Sequence, residues 1–158
     1  MTKLEKESKY QQSIHQIKHI LDEDIDLIGA MATISSILHS NFDYFSWTGF
    51  YRVARPKLLM IGPYQGTEGC LYITFDKGVC GDSATREETI IVPDVREFPG
   101  HIACDPNSKS EIVIPVFDKN KKLIAVLDID SNEIKSFDET DKAYLEETVR
   151  IFSEKQFQ

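Results

Sequence analysis

Residues 111–130, EIVIPVFDKNKKLIAVLDID, carry the clearest fold signal in this 158-residue chain. Two apolar, β-branched runs, 111–117 and 123–130, are joined by the polar segment 118–121. Such runs are typical of strands, and a short polar connection between them is typical of an antiparallel hairpin. We therefore predict two antiparallel strands, with Asp128 and Asp130 on one face because strand side chains alternate.

Helices are predicted at both ends of the chain. Apolar residues at helical spacing predict two N-terminal helices, over 10–21 and over 27–41, and a C-terminal helix that extends past Phe152. The last helix follows a capping-box pattern at 136–139. The charged residues 1–12 are expected to be a flexible N-terminal extension of a single domain spanning 1–158.

The middle of the chain has the composition of a sheet. Aromatic and β-branched runs predict further strands at 44–53, 58–64, 71–75 and 89–92. A short helix is predicted from Gly78, and residues 95–110 are predicted to form a long loop. Helices segregated from strands indicate an α+β domain with a central, mainly antiparallel sheet.

Charge and hydropathy exclude several classes of partner. The chain has 18 basic and 26 acidic residues and a net charge of −8, which disfavours binding to nucleic acid or to anionic membranes. No apolar run approaches the roughly 20 residues that span a bilayer. No secretion signal is recognisable at the N-terminus, so we expect a cytoplasmic protein with reduced thiols.

Three cysteines, Cys70, Cys80 and Cys104, are the residues best suited to chemistry. Their odd number argues against a disulfide framework and leaves redox chemistry, metal binding or inert burial. No ligand pair has the close spacing of a zinc site, so no metal is predicted. Cys70 and Cys104 lie in polar segments rich in glycine or proline, whereas Cys80, between Val79 and Gly81, is compatible with a core position.

The surroundings of Cys104 bear on its reactivity. His101 favours a thiolate and Asp105 opposes one, because like charge disfavours an anion. A thiolate that attacks an oxidised sulfur becomes a sulfenic acid, which a second thiol can condense with. Either Cys70 or Cys80 can supply that thiol, and the sequence does not choose between them.

Three acids and two aromatic residues are further candidates for the site. Glu111, Asp128 and Asp130 can form a cluster in which one carboxyl stays protonated, or which binds an ammonium group. The alternative is a solvated strand end, with Asp130 capping a turn. Trp47 and Tyr51 are either core residues or the wall of a pocket for a methyl or thioether group.

Six segments together resemble a known family. They are WTGFY (47–51), GPYQG (62–66), GVCG (78–81), FPGHIACD (98–105), SKSEIVIP (108–115) and VLDIDS (126–131). The combination is similar to the free methionine-(R)-sulfoxide reductases, which have a GAF-type fold. The resemblance covers about residues 26–151, nearly the whole chain.

The resemblance implies a cysteine-based mechanism. Cys104 is expected to attack the sulfur of free L-methionine-(R)-sulfoxide, and Cys70 to resolve the sulfenic acid as a disulfide. Cys80 is expected to support the site or to form an alternative disulfide. Thioredoxin would then reduce the disulfide, with no bound cofactor, and a homodimer is expected. The resemblance assigns substrate binding to the acids and the aromatic wall: Glu111, Asp128, Asp130, Trp47 and Tyr51.

Two non-enzymatic alternatives remain. A GAF-type domain can bind a small ligand as a regulatory module, or its thiols can act as a redox sensor that partners another protein. A regulatory module is expected to be fused to an output domain, for which 158 residues leave little room, and it gives no reason for the cysteines.

Overall fold

The predicted hairpin lies inside a six-stranded antiparallel sheet. The computed structural model describes residues 1–102 and 104–157. The strands are β1 (Trp47–Arg55), β2 (Leu58–Gln65), β3 (Tyr72–Thr74), β4 (Ile90–Val92), β5 (Ser110–Phe117) and β6 (Leu123–Ser131). Their order across the sheet is β3-β2-β1-β6-β5-β4, and every neighbouring pair is antiparallel. The predicted α+β class with a central antiparallel sheet is confirmed.

The helices divide between the two faces of the sheet. They are α1 (Lys3–Leu21), α2 (Leu27–Asn41), α3 (Gly78–Arg86) and α4 (Glu139–Gln156). Helices α1, α2 and α4 share one apolar core with the sheet, whose largest fully buried members include Phe42, Phe50 and Phe152. Helix α3 packs on the opposite face, where a smaller core contains Trp47 and Cys80.

Helix α1 begins at Lys3, seven residues before the predicted boundary. Residues 3–12 are therefore helical, and the prediction of a flexible extension over 1–12 is wrong. Thr2 and Glu5 form a capping box at its start. Lys6 is buried and its ammonium donates to Asp141 at 2.6 Å. The apolar periodicity missed this turn because it is anchored by an ion pair 135 residues apart in sequence.

The starts of β1 and α4 also differ from the predictions. Strand β1 begins at Trp47 rather than at 44, because the preceding aromatic residues turn into the helix-side core, where Phe45 N–H donates to the carbonyl of Phe42 at 3.1 Å. The cap of α4 is Asp138, which pairs with Asp141 in a capping box. The predicted cap, Ser136, instead hydrogen-bonds Ser131 at 2.7 Å.

The remaining connections are short or irregular. The predicted loop 95–110 contains a short 3₁₀ turn, Val95–Glu97. No helix of the described ranges 1–102 and 104–157 combines the length and the apolar character needed to cross a membrane.

Candidate active site

The strand register gathers the three predicted acids at one end of the sheet. Glu111 on β5 is directly opposite Asp130 on β6, and Asp130 is opposite Trp47 on β1. Directly opposed residues share a face, and Asp128 lies two positions before Asp130 on that face. Local alternation predicted the Asp128–Asp130 pairing, and the register adds Glu111.

Burial of these acids raises their pKa values. Glu111 and Asp128 are each only 5% exposed, and Asp130 is half-buried. Burial, followed by the charge of Asp130, raises the pKa of Glu111 to about 8. Burial raises the pKa of Asp128 and of Asp130 well above the usual range, and their neighbours Glu111 and Asp128 respectively add to it. The cluster therefore retains protons near neutral pH and can donate them. The alternative interpretation, a solvated strand end, is wrong because Glu111 and Asp128 are buried.

The two predicted aromatic residues form a wall beside the acids. Trp47 is 3% and Tyr51 is 2% exposed, and their ring centroids are 5.7 Å apart. The indole N–H of Trp47 donates to the carbonyl of Thr67 at 2.8 Å, which holds the loop before Cys70 against the wall. A Cβ on Gly69 would lie 3.0 Å from the Tyr51 hydroxyl, so a glycine permits this close approach.

Cys70 and Cys104 form a disulfide, with their Cα atoms 5.3 Å apart. The bond joins the segment that follows β2 to the segment that precedes β5, and Cys104 lines the same cavity as the acid cluster. Sequence spacing left two possible partners for Cys104, and the fold pairs it with Cys70. Inert burial therefore does not describe these two thiols.

Cys80 is the free cysteine of the molecule and is buried. It lies in the first turn of α3, where its Sγ donates to Glu111 Oε1 at 3.9 Å. Burial, followed by the charge of Asp128, raises the pKa of this thiol well above its usual value. A core position for Cys80 is confirmed, and the structure adds its contact with the acids.

His101 lies against Glu111 in the structure. Its Nε2 is 3.7 Å from Glu111 Oε2, and burial lowers its pKa, which favours the neutral imidazole. This geometry assigns His101 to the acid cluster, a contact that its position three residues before Cys104 did not predict. His15 and His19 are exposed on α1, away from the site.

Ser108 is a site residue that sequence reasoning missed. Its hydroxyl donates to Asp130 Oδ1 at 3.2 Å. Only its place within the segment SKSEIVIP marked it, because serine is common in loops and its partner is 22 residues away. The acids, the aromatic wall, Cys80 and Cys104 line a cavity of about 40 Å³. That volume is enough for at least one water or a small ion.

Known proteins with similar sequences identify the family of this chain. Residues 22–153 match the GAF domain family. The free methionine-R-sulfoxide reductase of Saccharomyces cerevisiae is 36% identical over 156 residues, covering 95% of this chain and 87% of the yeast protein. The chain belongs to the free methionine-R-sulfoxide reductase family.

Solved structures of this reductase family superimpose closely. The enzyme of Neisseria meningitidis in complex with its substrate has a TM-score of 0.89 at 37% identity, over 93% of this chain and 87% of that one. The reduced form of fRMsr of Staphylococcus aureus has a TM-score of 0.88 at 39% identity, over 93% and 94%. The chain is accordingly an oxidoreductase built on a GAF domain.

Proposed function

We propose that this reductase converts free L-methionine-(R)-sulfoxide to L-methionine. The observation that carries the proposal is the Cys70–Cys104 disulfide beside a pocket of buried acids. Reactive sulfur next to a proton donor is the combination that sulfoxide reduction requires. The names of the relatives, free methionine-R-sulfoxide reductases, support the same substrate.

In the first step Cys104 is the nucleophile. Its thiolate attacks the sulfoxide sulfur, the substrate's S–O bond breaks, and the oxygen ends on Cys104 as a sulfenic acid. The substrate sulfur gains two electrons, the Cys104 sulfur loses two, and methionine leaves. The sulfoxide oxygen is a poor leaving group unless it is protonated as the bond breaks.

The acid cluster supplies that proton and also binds the substrate. The raised pKa of Glu111, about 8, keeps a proton available at neutral pH. An ionised member of the cluster pairs with the ammonium group of the free amino acid. Since the three acids titrate together, the proton belongs to the cluster of Glu111, Asp128 and Asp130. Trp47 and Tyr51 provide the apolar wall for the S-methyl group.

In the second step Cys70 acts as the resolving thiol. Its sulfur condenses with the Cys104 sulfenic acid, forming the disulfide and releasing water. The 5.3 Å between the two Cα atoms is within the normal range for such a bond. Thioredoxin, a dithiol protein, then reduces the disulfide by exchange and itself becomes oxidised. Cys80 is buried against Glu111 and supports the site.

The ligand-sensing and redox-sensing alternatives are not favoured. A module that only binds a ligand gives no role to a disulfide whose Cys104 lines the pocket. The cytoplasmic location and the homodimer stay predictions.

A matched pair of cysteine variants tests the proposal. In an assay that couples thioredoxin turnover to NADPH oxidation, we expect Cys104→Ser to fall to the uncatalysed background. We expect Cys70→Ser to release about one methionine per chain and then stop, because the sulfenic acid is not resolved. Sustained turnover by Cys104→Ser would exclude the mechanism.

A second measurement compares free methionine-(R)-sulfoxide with the same residue inside a peptide, which lacks the free ammonium. Hydrogen bonds to charged groups contribute about 1.5–3 kcal/mol, so we expect kcat/KM to be at least about tenfold lower for the peptide. Equal values for both substrates would remove the proposed role of the acids in binding the ammonium.

A further inference from the structure

Cys80, Glu111 and Asp128 form a group of potential metal ligands. Their donor atoms, one thiol sulfur and two carboxylate oxygens, all lie within 4.8 Å of one another, and all three residues are buried. They come from three different elements, α3, β5 and β6. Chain spacing showed no such group, because the three residues are brought together only by packing of α3 on the sheet.

The distance between two of the donor atoms is close to that of a metal site. Zinc–sulfur bonds of about 2.3 Å and zinc–oxygen bonds of about 2.0 Å place tetrahedral ligand atoms roughly 3.3–3.6 Å apart. Cys80 Sγ and Glu111 Oε1 are 3.9 Å apart. Small side-chain rotations are therefore sufficient for both atoms to bind one ion.

An unpartnered oxygen independently indicates a ligand. Among residues 1–102 and 104–157, Asp128 Oδ1 has no hydrogen-bond partner although the residue is only 5% exposed. A buried carboxylate oxygen without a partner is costly, and a bound cation offsets that cost. The cavity beside it holds about 40 Å³, which is enough for an ion.

The ligand set selects the type of metal. A thiolate together with two carboxylates suits zinc, whereas magnesium and calcium take all-oxygen sites with six or more ligands. Three protein ligands would leave one tetrahedral position for a water or another small ligand. His101, 3.7 Å from Glu111, lies where it can orient that ligand from outside.

We propose that Cys80, Glu111 and Asp128 bind a zinc ion that competes with the amino acid substrate for the acid cluster. On binding, a Zn–S bond and two Zn–O bonds form, the S–H bond of Cys80 breaks, and its proton is released to solvent together with any proton that the Glu111 and Asp128 carboxyl groups hold. Zinc is then an inhibitor rather than a cofactor. The competition rests on the proposed function, whereas the binding of the ion does not.

The disulfide form of the protein isolates the proposed site. With Cys70 and Cys104 oxidised, Cys80 is the one thiol left to bind a metal. Added Co²⁺ is expected to produce a thiolate-to-metal charge-transfer band that one equivalent of Zn²⁺ abolishes. Calorimetry with Zn²⁺ alone is expected to give one site per chain.

Three variants test the ligands. We expect Cys80→Ser to lose the charge-transfer band, and Asp128→Asn to weaken Zn²⁺ binding by about tenfold or more. Asp82→Asn, a more exposed carboxylate of the same helix as Cys80, is the matched control and should bind as the wild type does. A far-ultraviolet circular dichroism spectrum checks that each variant is folded.

Competition is measured last. Methionine-(R)-sulfoxide is expected to raise the apparent Kd of Zn²⁺ in the double variant Cys70→Ser/Cys104→Ser, which forms no disulfide, does not turn the substrate over and keeps Cys80 as its thiol. Absence of the charge-transfer band, or unchanged Zn²⁺ affinity in folded Asp128→Asn, would overturn the site. Binding of Zn²⁺ without competition would overturn the inhibitory role alone. Neither readout depends on turnover, so these results remain distinct from failure of the reductase proposal.

Discussion

Two buried carboxylates on opposite sides of the sheet have very different surroundings. Asp141, fully buried at the start of α4, accepts hydrogen bonds from Lys6 at 2.6 Å, Tyr10 at 2.7 Å and Tyr44 at 2.6 Å. Asp128 is almost as buried, yet within the part of the chain that the structure describes its Oδ1 has no partner. The first acid has hydrogen-bond donors for both of its oxygens, whereas one oxygen of the second has none among the described residues.

The comparison shows how burial can be used for stability or for binding. A buried charge with a complete set of donors fixes the elements around it, here α1, α4 and the segment before β1. A buried acid with an unpartnered oxygen leaves the free protein less stable and attracts a cation. The helix side of the sheet carries the first arrangement and the α3 side carries the second.

The largest expected effect breaks the satisfied network. Lys6→Met removes the cation and leaves the Asp141 charge buried, so we expect the free energy of unfolding to fall by about 3–5 kcal/mol. Chemical denaturation measures the change. Lys3→Met, at an exposed position of the same helix, is the control and should change stability by less than about 0.5 kcal/mol. Equal effects of both variants would mean that Asp141 does not depend on Lys6.

The same substitution, Asp to Asn, is expected to change the free energy of unfolding in opposite directions at Asp141 and at Asp128. Asp141→Asn is expected to lower the free energy of unfolding by about 2 kcal/mol because it loses charge-assisted hydrogen bonds. Asp128→Asn is expected to raise it by about 1 kcal/mol because it removes a poorly partnered buried acid. Both are measured by denaturation in the presence of a chelator and without substrate. Effects of the same sign would contradict the division between the two acids.

The smallest expected effect concerns pH on the helix side. Burial lowers the pKa of His39, whose Nδ1 is 3.2 Å from the Thr48 hydroxyl. Below its ordinary pKa of about 6.5 the unfolded chain binds more protons than the folded one. This contribution to stability is therefore present above about pH 6.5 and is lost as the pH falls. His39→Gln should flatten the dependence over this range in denaturation experiments, whereas substitution of the exposed His15 should leave it unchanged.

Local patterns predicted the elements because their signals lie within a few residues of one another. The alternation in 111–130 predicted β5 and β6, and with them the shared face of Asp128 and Asp130. Segment similarity, rather than spacing, indicated the family and marked Cys70 as the partner of Cys104. The local pattern also predicted Ser136 as the cap of α4. This prediction is wrong because the Ser136 hydroxyl hydrogen-bonds Ser131, a contact that the capping-box pattern does not contain.

Composition and periodicity thus determined an acidic α+β domain with its sheet, its helices and its reactive residue types. The tertiary structure alone decided that Lys6 meets Asp141 across 135 residues and that Cys80 meets the acids of two strands. It also placed Cys70 against Cys104 across 34 residues, a pairing that spacing left open and segment similarity indicated. Contacts of this kind leave no periodic trace in a chain, since they arise only when the sheet register and the helix packing are both fixed. Register and packing also set the burial and the hydrogen-bond partners of both acids. They therefore decided that Asp141 stabilises the fold and that Asp128 keeps an oxygen which, within the described residues, is free to bind a ligand.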